Sequence, residues 1–98
     1  MIERIDDRLR VTAPMVIANA RALLDAGRGL LAADFPTGQA ARLDLAGVGE
    51  VDSSALAVVL AWLRTAAAKN LPLRLVEPPA NLLSLARLYG VDELLPPA

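Results

Sequence analysis

The sequence predicts a single small α/β domain in which a mixed four-stranded sheet packs with three helices. Three observations carry this expectation. Short runs rich in apolar residues and suited to strands fall at residues 2–5, 8–13, 42–46 and 71–76. Three other segments repeat apolar residues at three- and four-residue steps, the signature of a helix with one buried face. The resulting order is strand, strand, helix, strand, helix, strand, helix. It opens with a hairpin and then needs crossovers that leave the later strands parallel. Ninety-eight residues suffice for one core and one domain spanning residues 1–98.

Asp6-Asp7 is a two-residue connection of the kind that closes a hairpin between the first two strands. Pro14 suits a first helical turn, and Ile17, Ala20, Leu24, Gly27 and Leu31 recur beyond it, with Leu23 and Leu30 beside them. This predicts a helix over 15–32. Asp34, Pro36, Thr37 and Gly38 mark residues 33–40 as a loop. The second helix is expected over 54–69 from Leu56, Val59, Leu60, Leu63 and Ala67, and Asn70 suits its left-handed C-terminal cap. Glu77-Pro78-Pro79 stops the fourth strand as a stiff turn. The third helix, 80–89, places Leu82, Leu85, Ala86 and Tyr89 on one face, and Gly90 closes it before a packed tail at 91–95.

Composition narrows the chemistry. The chain has no cysteine and no histidine, which excludes thiolate nucleophiles and disulfides and removes most zinc chemistry and the commonest general base. No metal site is expected. Gly47 and Gly49 lack the third glycine and the lysine of a phosphate loop, so no nucleotide or other cofactor is expected either. A net charge of −1, basic residues scattered singly and only three aromatics argue against nucleic acid as a partner. The longest apolar run covers residues 55–63, far short of the about 20 residues that span a bilayer. With a charged N-terminus that lacks a secretory apolar core, this gives the expectation of a cytoplasmic chain with no direct membrane insertion.

The densest functional signal is Val51-Asp52-Ser53-Ser54-Ala55-Leu56, where a strand and short connection feed the second helix. An N-cap alone would account for an acidic residue and hydroxyls here, because a side-chain oxygen accepts an unpaired amide of the first turn. One cap is enough, however, and three consecutive polar side chains should leave a hydroxyl free. The helix dipole at that point favours anions, so the free hydroxyl is a candidate docking or phosphorylation point.

This segment and the element order resemble the STAS domains of sulfate transporters and anti-sigma-factor antagonists, whose signature is an apolar strand, a short turn and Asp-Ser/Thr-x-Gly/Ala-Leu. A closer resemblance is to the single-domain STAS proteins of the Mla phospholipid ABC transporter. It rests on Asp52 to Leu56, on Leu85-Ala86-Arg87-Leu88-Tyr89 and on Asp92-Glu93-Leu94-Leu95-Pro96, and it runs over nearly the whole chain. The Gly-x-Leu-Asp found after the second strand of many STAS domains is replaced by Thr12-Ala13-Pro14-Met15. The resemblance implies a non-catalytic accessory subunit that binds and supports a MlaF-like ATPase subunit, and through it the permease, in a complex maintaining outer-membrane lipid asymmetry. Such a subunit would sit at the inner membrane through its partner alone. Asp52, Ser53, Ser54 and Ala55 would then belong to the partner surface. The alternative is an anti-sigma-factor antagonist whose Ser53 is phosphorylated by an anti-sigma-factor serine kinase.

Other residues have simpler expectations. Leu85 to Tyr89 read as core and Trp62 as partly buried structure, with partner contact the alternative for each. Arg64 and Lys69 fit a solvated helix face, Lys69 also suiting the dipole of its own helix. Asp44 is expected to point to the polar side of the sheet or to pair with Arg42 or Arg74.

Overall fold

The computed structural model describes residues 1–36 and 38–97; Thr37, one of the residues of the predicted loop, lies outside them. Strands β1 (Ile2–Ile5), β2 (Arg8–Val11), β3 (Ala41–Asp44) and β4 (Leu73–Val76) form one sheet in the order β1-β2-β3-β4. The first pair is antiparallel and the other two are parallel, as the element order predicts. Asp6 turns the hairpin at φ 56°, a left-handed conformation that aspartate tolerates better than most residues.

Alternation along the strands decides which face is covered. Leu9, Val11, Ala41, Leu43, Leu73 and Leu75 are buried, whereas Arg10, Arg42 and Arg74 between them are exposed. Helices α1 (Ile17–Leu31), α2 (Ser53–Ala68) and α3 (Ala80–Leu88) therefore close over the apolar face and leave the other open. Helix α2 is the hub of this layer. Ala55, Leu56, Val58, Val59, Ala61, Trp62 and Ala66 are all buried, because α1 and α3 flank it while the sheet lies beneath.

Trp62 is wholly buried, so the expected partial exposure and the alternative of partner contact both fall away. Its indole lies against Gly27 of α1, where any Cβ would collide with the ring, and its N–H donates to the Leu24 carbonyl at 3.2 Å. A buried indole needs that partner, and the missing side chain of Gly27 makes room for it.

Several boundaries differ from the sequence expectation. Strands β2, β3 and β4 are shorter than predicted, and α1 begins at Ile17, so Pro14 precedes the helix instead of opening it. Ile17 is 75% exposed although its spacing puts it on the apolar face; Leu23, Gly27 and Leu31 are the residues buried there. Asn70 and Gly90 do adopt positive φ, 58° and 71°, at the positions where the sequence predicts helix caps. The tail forms a short 3-10 turn (Asp92–Leu94), then runs beside β4, where the Leu75 amide donates to the Pro96 carbonyl at 2.9 Å.

Asp44 is 4% exposed, yet its partners are Arg8 and Arg10, not Arg42 or Arg74. The sheet register explains this, since Asp44 lies opposite Arg10 across β2 and β3. Its carboxyl is held below its ordinary value by the Ala46 amide first and by the Arg8 guanidinium, which outweigh the opposing effect of burial.

Candidate functional site

The segment singled out in the sequence lies where the N-termini of α1 and α2 meet. Backbone bonds join the two approaches: the Met15 amide donates to Glu50 at 2.9 Å and the Asp52 amide to Met15 at 3.1 Å. Met15 and Val51 thus form a single parallel bridge outside the main strands. This bridge places Asp52 between the two helix starts.

Asp52 is the N-cap of α2, and its Oδ1 accepts the Ser54 amide at 2.9 Å. The Ser54 hydroxyl donates to the same oxygen. Its other oxygen, Oδ2, accepts the Ile17 amide at 2.9 Å. The N-cap position of α1 is Val16, which has no side-chain acceptor, so Asp52 supplies from 35 residues away the cap that α1 lacks. The Ser54 hydroxyl, then the Ile17 amide, lower the Asp52 carboxyl from its ordinary value near 3.8. The carboxylate is therefore fully charged at neutral pH, between two positive dipole ends that favour it.

The four candidate residues divide by role. Asp52 and Ser54 are engaged in capping. Ala55 is 1% exposed and faces the core, so it supports the tip without presenting a surface. Ser53 is the first residue of α2 and is exposed, and no hydrogen bond within the described residues engages its hydroxyl. It is the spare hydroxyl that three consecutive polar residues predict.

Apolar surface flanks the tip on both sides, which helical spacing alone does not reveal. A shallow groove between α2 and α3 is lined by Val51, Asp52, Ser53, Asn81, Ser84, Leu85, Leu88 and Tyr89. Leu88 and Tyr89, 76% and 59% exposed, correct the expectation that this end of α3 is core; only Leu82 and Ala86 are buried there. On the other side, Ile17, Ala20 and Leu24 of α1 line a second groove with Ser54, Ala57 and Val58. Among the described residues no group of three or more acidic side chains is placed to hold a metal. No described helix is long and apolar enough to cross a membrane.

The family described as "Mlab, STAS domain" matches residues 2–96. The chain belongs to this STAS family. Its fold recurs in the crystal structure of a Thermotoga maritima protein described as an anti-sigma factor antagonist, with a TM-score of 0.68 at 18% identity. That match covers 98% of the present chain and 82% of the other. A second structure, named Mglu, matches in fold with a TM-score of 0.58 and 24% identity over 82% of this chain and 20% of that one. No curated protein matches. At these identities the two structures establish the shared fold. In this STAS chain Asp52, Ser53 and Ser54 are the polar residues at the N-terminal end of α2, and Ser53 is the exposed one among them.

Proposed function

We propose that this STAS chain is a non-catalytic accessory subunit of a phospholipid-transporting ABC complex of the Mla type. It docks on the ATPase subunit through the tip of α2 and supports that subunit's assembly and activity. The observation that carries the reading is the free Ser53 hydroxyl set between two exposed apolar patches, Ile17 on one side and Leu88 with Tyr89 on the other. Exposed apolar groups around a polar centre are the composition of a protein-binding surface. The family description supports the choice of an Mla-type partner. Tyrosine suits the anchor role, because it buries a large ring at little entropic cost.

Co-expression with the ATPase subunit of a phospholipid ABC transporter from the same genome tests this. The two chains should co-purify, and Ser53→Glu should abolish the complex by placing an unmatched carboxylate in the contact. Retention of the complex by Ser53→Glu together with Leu88→Asp would rule out this surface.

A second reading, an anti-sigma-factor antagonist, is favoured by the same hydroxyl at a helix N-terminus, where a phosphate is electrostatically welcome. It also accords with the description of the Thermotoga neighbour. It requires phosphate on Ser53 after incubation with an anti-sigma-factor serine kinase, which mass spectrometry reads directly.

A further inference from the structure

The open face of the sheet carries a charge pattern invisible in the linear sequence. The parallel register aligns Arg8 with Arg42 and Arg42 with Arg74, so three arginines stand in one row across β2, β3 and β4. Arg10 follows two residues along β2, beside Asp44. Four of the ten basic residues of the chain thus share one sheet face, although they come from three strands far apart in sequence.

The row is unevenly satisfied. On its β2 side, Arg8 and Arg10 share the carboxylate of Asp44 at 3.0 and 3.6 Å. On its β4 side, Arg42 and Arg74 are directly opposed and exposed, and neither forms a salt bridge with any described residue. Like charges opposite one another across a pair of strands are destabilising, so this arrangement costs the free domain stability. A carboxylate between Arg42 and Arg74 would do there what Asp44 already does between Arg8 and Arg10.

We propose that this face docks an acidic segment of a partner protein, whose Asp or Glu side chains pair with Arg42 and Arg74. Guanidinium forks suit that occupant because they bind carboxylates through two parallel hydrogen bonds. A bilayer surface fits less well. Glu3 and Asp44 stand on the same face as the four arginines, leaving an excess of two positive charges, too few for more than weak attraction to anionic lipid. Single-stranded nucleic acid fits less well too, since none of the three aromatics lies on a strand to stack a base. The surface is separate from the α2 tip, so the inference stands or falls apart from the proposed function.

The test is fluorescence anisotropy with a labelled peptide of alternating glutamate and serine, at low salt and at about 0.15 M. The intact chain should bind it, with affinity falling as salt rises. The double variant Arg42→Gln/Arg74→Gln should bind at least about fivefold more weakly, while its melting temperature stays equal or rises because the like-charge pair is gone. Arg42→Lys/Arg74→Lys should recover part of the loss, and Arg64→Gln, which removes an exposed cation of α2 away from this face, should leave binding unchanged. Equal peptide binding by the double glutamine variant would overturn the proposal. So would tighter binding of phosphatidylglycerol vesicles or of a single-stranded oligonucleotide than of the peptide.

Discussion

At the N-terminal end of the α1–α2 pair, a carboxylate from the α2 cap reaches the first amide of α1. At the C-terminal end an ammonium plays the mirror-image part, because Lys69, the C-cap residue of α2, donates to the Leu31 and Ala33 carbonyls at 2.7 and 2.8 Å. Each charge has the sign that the converging dipoles favour. The ends differ in what remains. At the C-terminal end Phe35 is flanked by Arg4 at 3.8 Å and Lys69 at 5.8 Å from its ring, so this aromatic side chain is covered by two cations. At the N-terminal end Ser53, Leu88, Tyr89 and Ile17 have no such cover. The same fastening therefore serves both ends and leaves exposed apolar side chains around Ser53 at the N-terminal one.

The seam between the ends should be the most sensitive place to break the comparison. Trp62→Ala should cost about 3–5 kcal/mol in chemical denaturation, the range for deleting a buried aromatic side chain. Gly27→Ala at the same contact should also destabilise. Overpacking against the indole costs about 1–3 kcal/mol, whereas the gain in helix propensity is about 1 kcal/mol at most.

Acid should act next, and chiefly at the N-terminal end and on the sheet. The carboxyls of Asp52 and Asp44 are both lowered in the folded chain. The stability they contribute is therefore fully present above the ordinary aspartate range near pH 4 and is lost as pH falls through and below it. Thermal melts from neutral pH down into the acid range should show this decline, and Asp52→Asn should flatten it while lowering the midpoint at neutral pH. At the C-terminal end Lys69→Met should cost about 1 kcal/mol, the scale of a favourable charge at a helix terminus, without weakening the partner complex. The smallest stability effect belongs to Ser53. Ser53→Ala should change unfolding by less than about 0.5 kcal/mol, as expected of an exposed side chain with no bond to lose.

How much of this is legible in the sequence depends on range. The order of elements, the Asn70 and Gly90 caps and the Asp52 cap are local patterns, and each can be read from a few neighbouring residues. That three consecutive polar residues leave a hydroxyl spare is legible too, and the STAS resemblance points to Ser53, but that Ser54 is the hydroxyl engaged with Asp52 is visible only in the hydrogen bonds. What cannot be read is set by contacts distant in sequence. Ile17 lies on an apolar period, but as the first residue of α1, just past the Met15–Val51 bridge, it is exposed at the helix tip. Helix α2 is apolar almost all round, so periodicity cannot reveal that Trp62 faces Gly27. The partners of Asp44 and the arginine row follow from strand register, which joins residues from separate strands. Tyr89 reads as core by spacing, yet it follows the last residue of α3 and is exposed beside Ser53.

Hydrogen exchange on the complex with the ATPase subunit tests most directly whether the N-terminal end is the docking surface. The amides of residues 51–55 and 88–90 should become protected on binding, while those around Phe35 and Lys69 stay as in the free chain. Protection confined to the C-terminal end, with the α2 tip exchanging unchanged, would contradict the account.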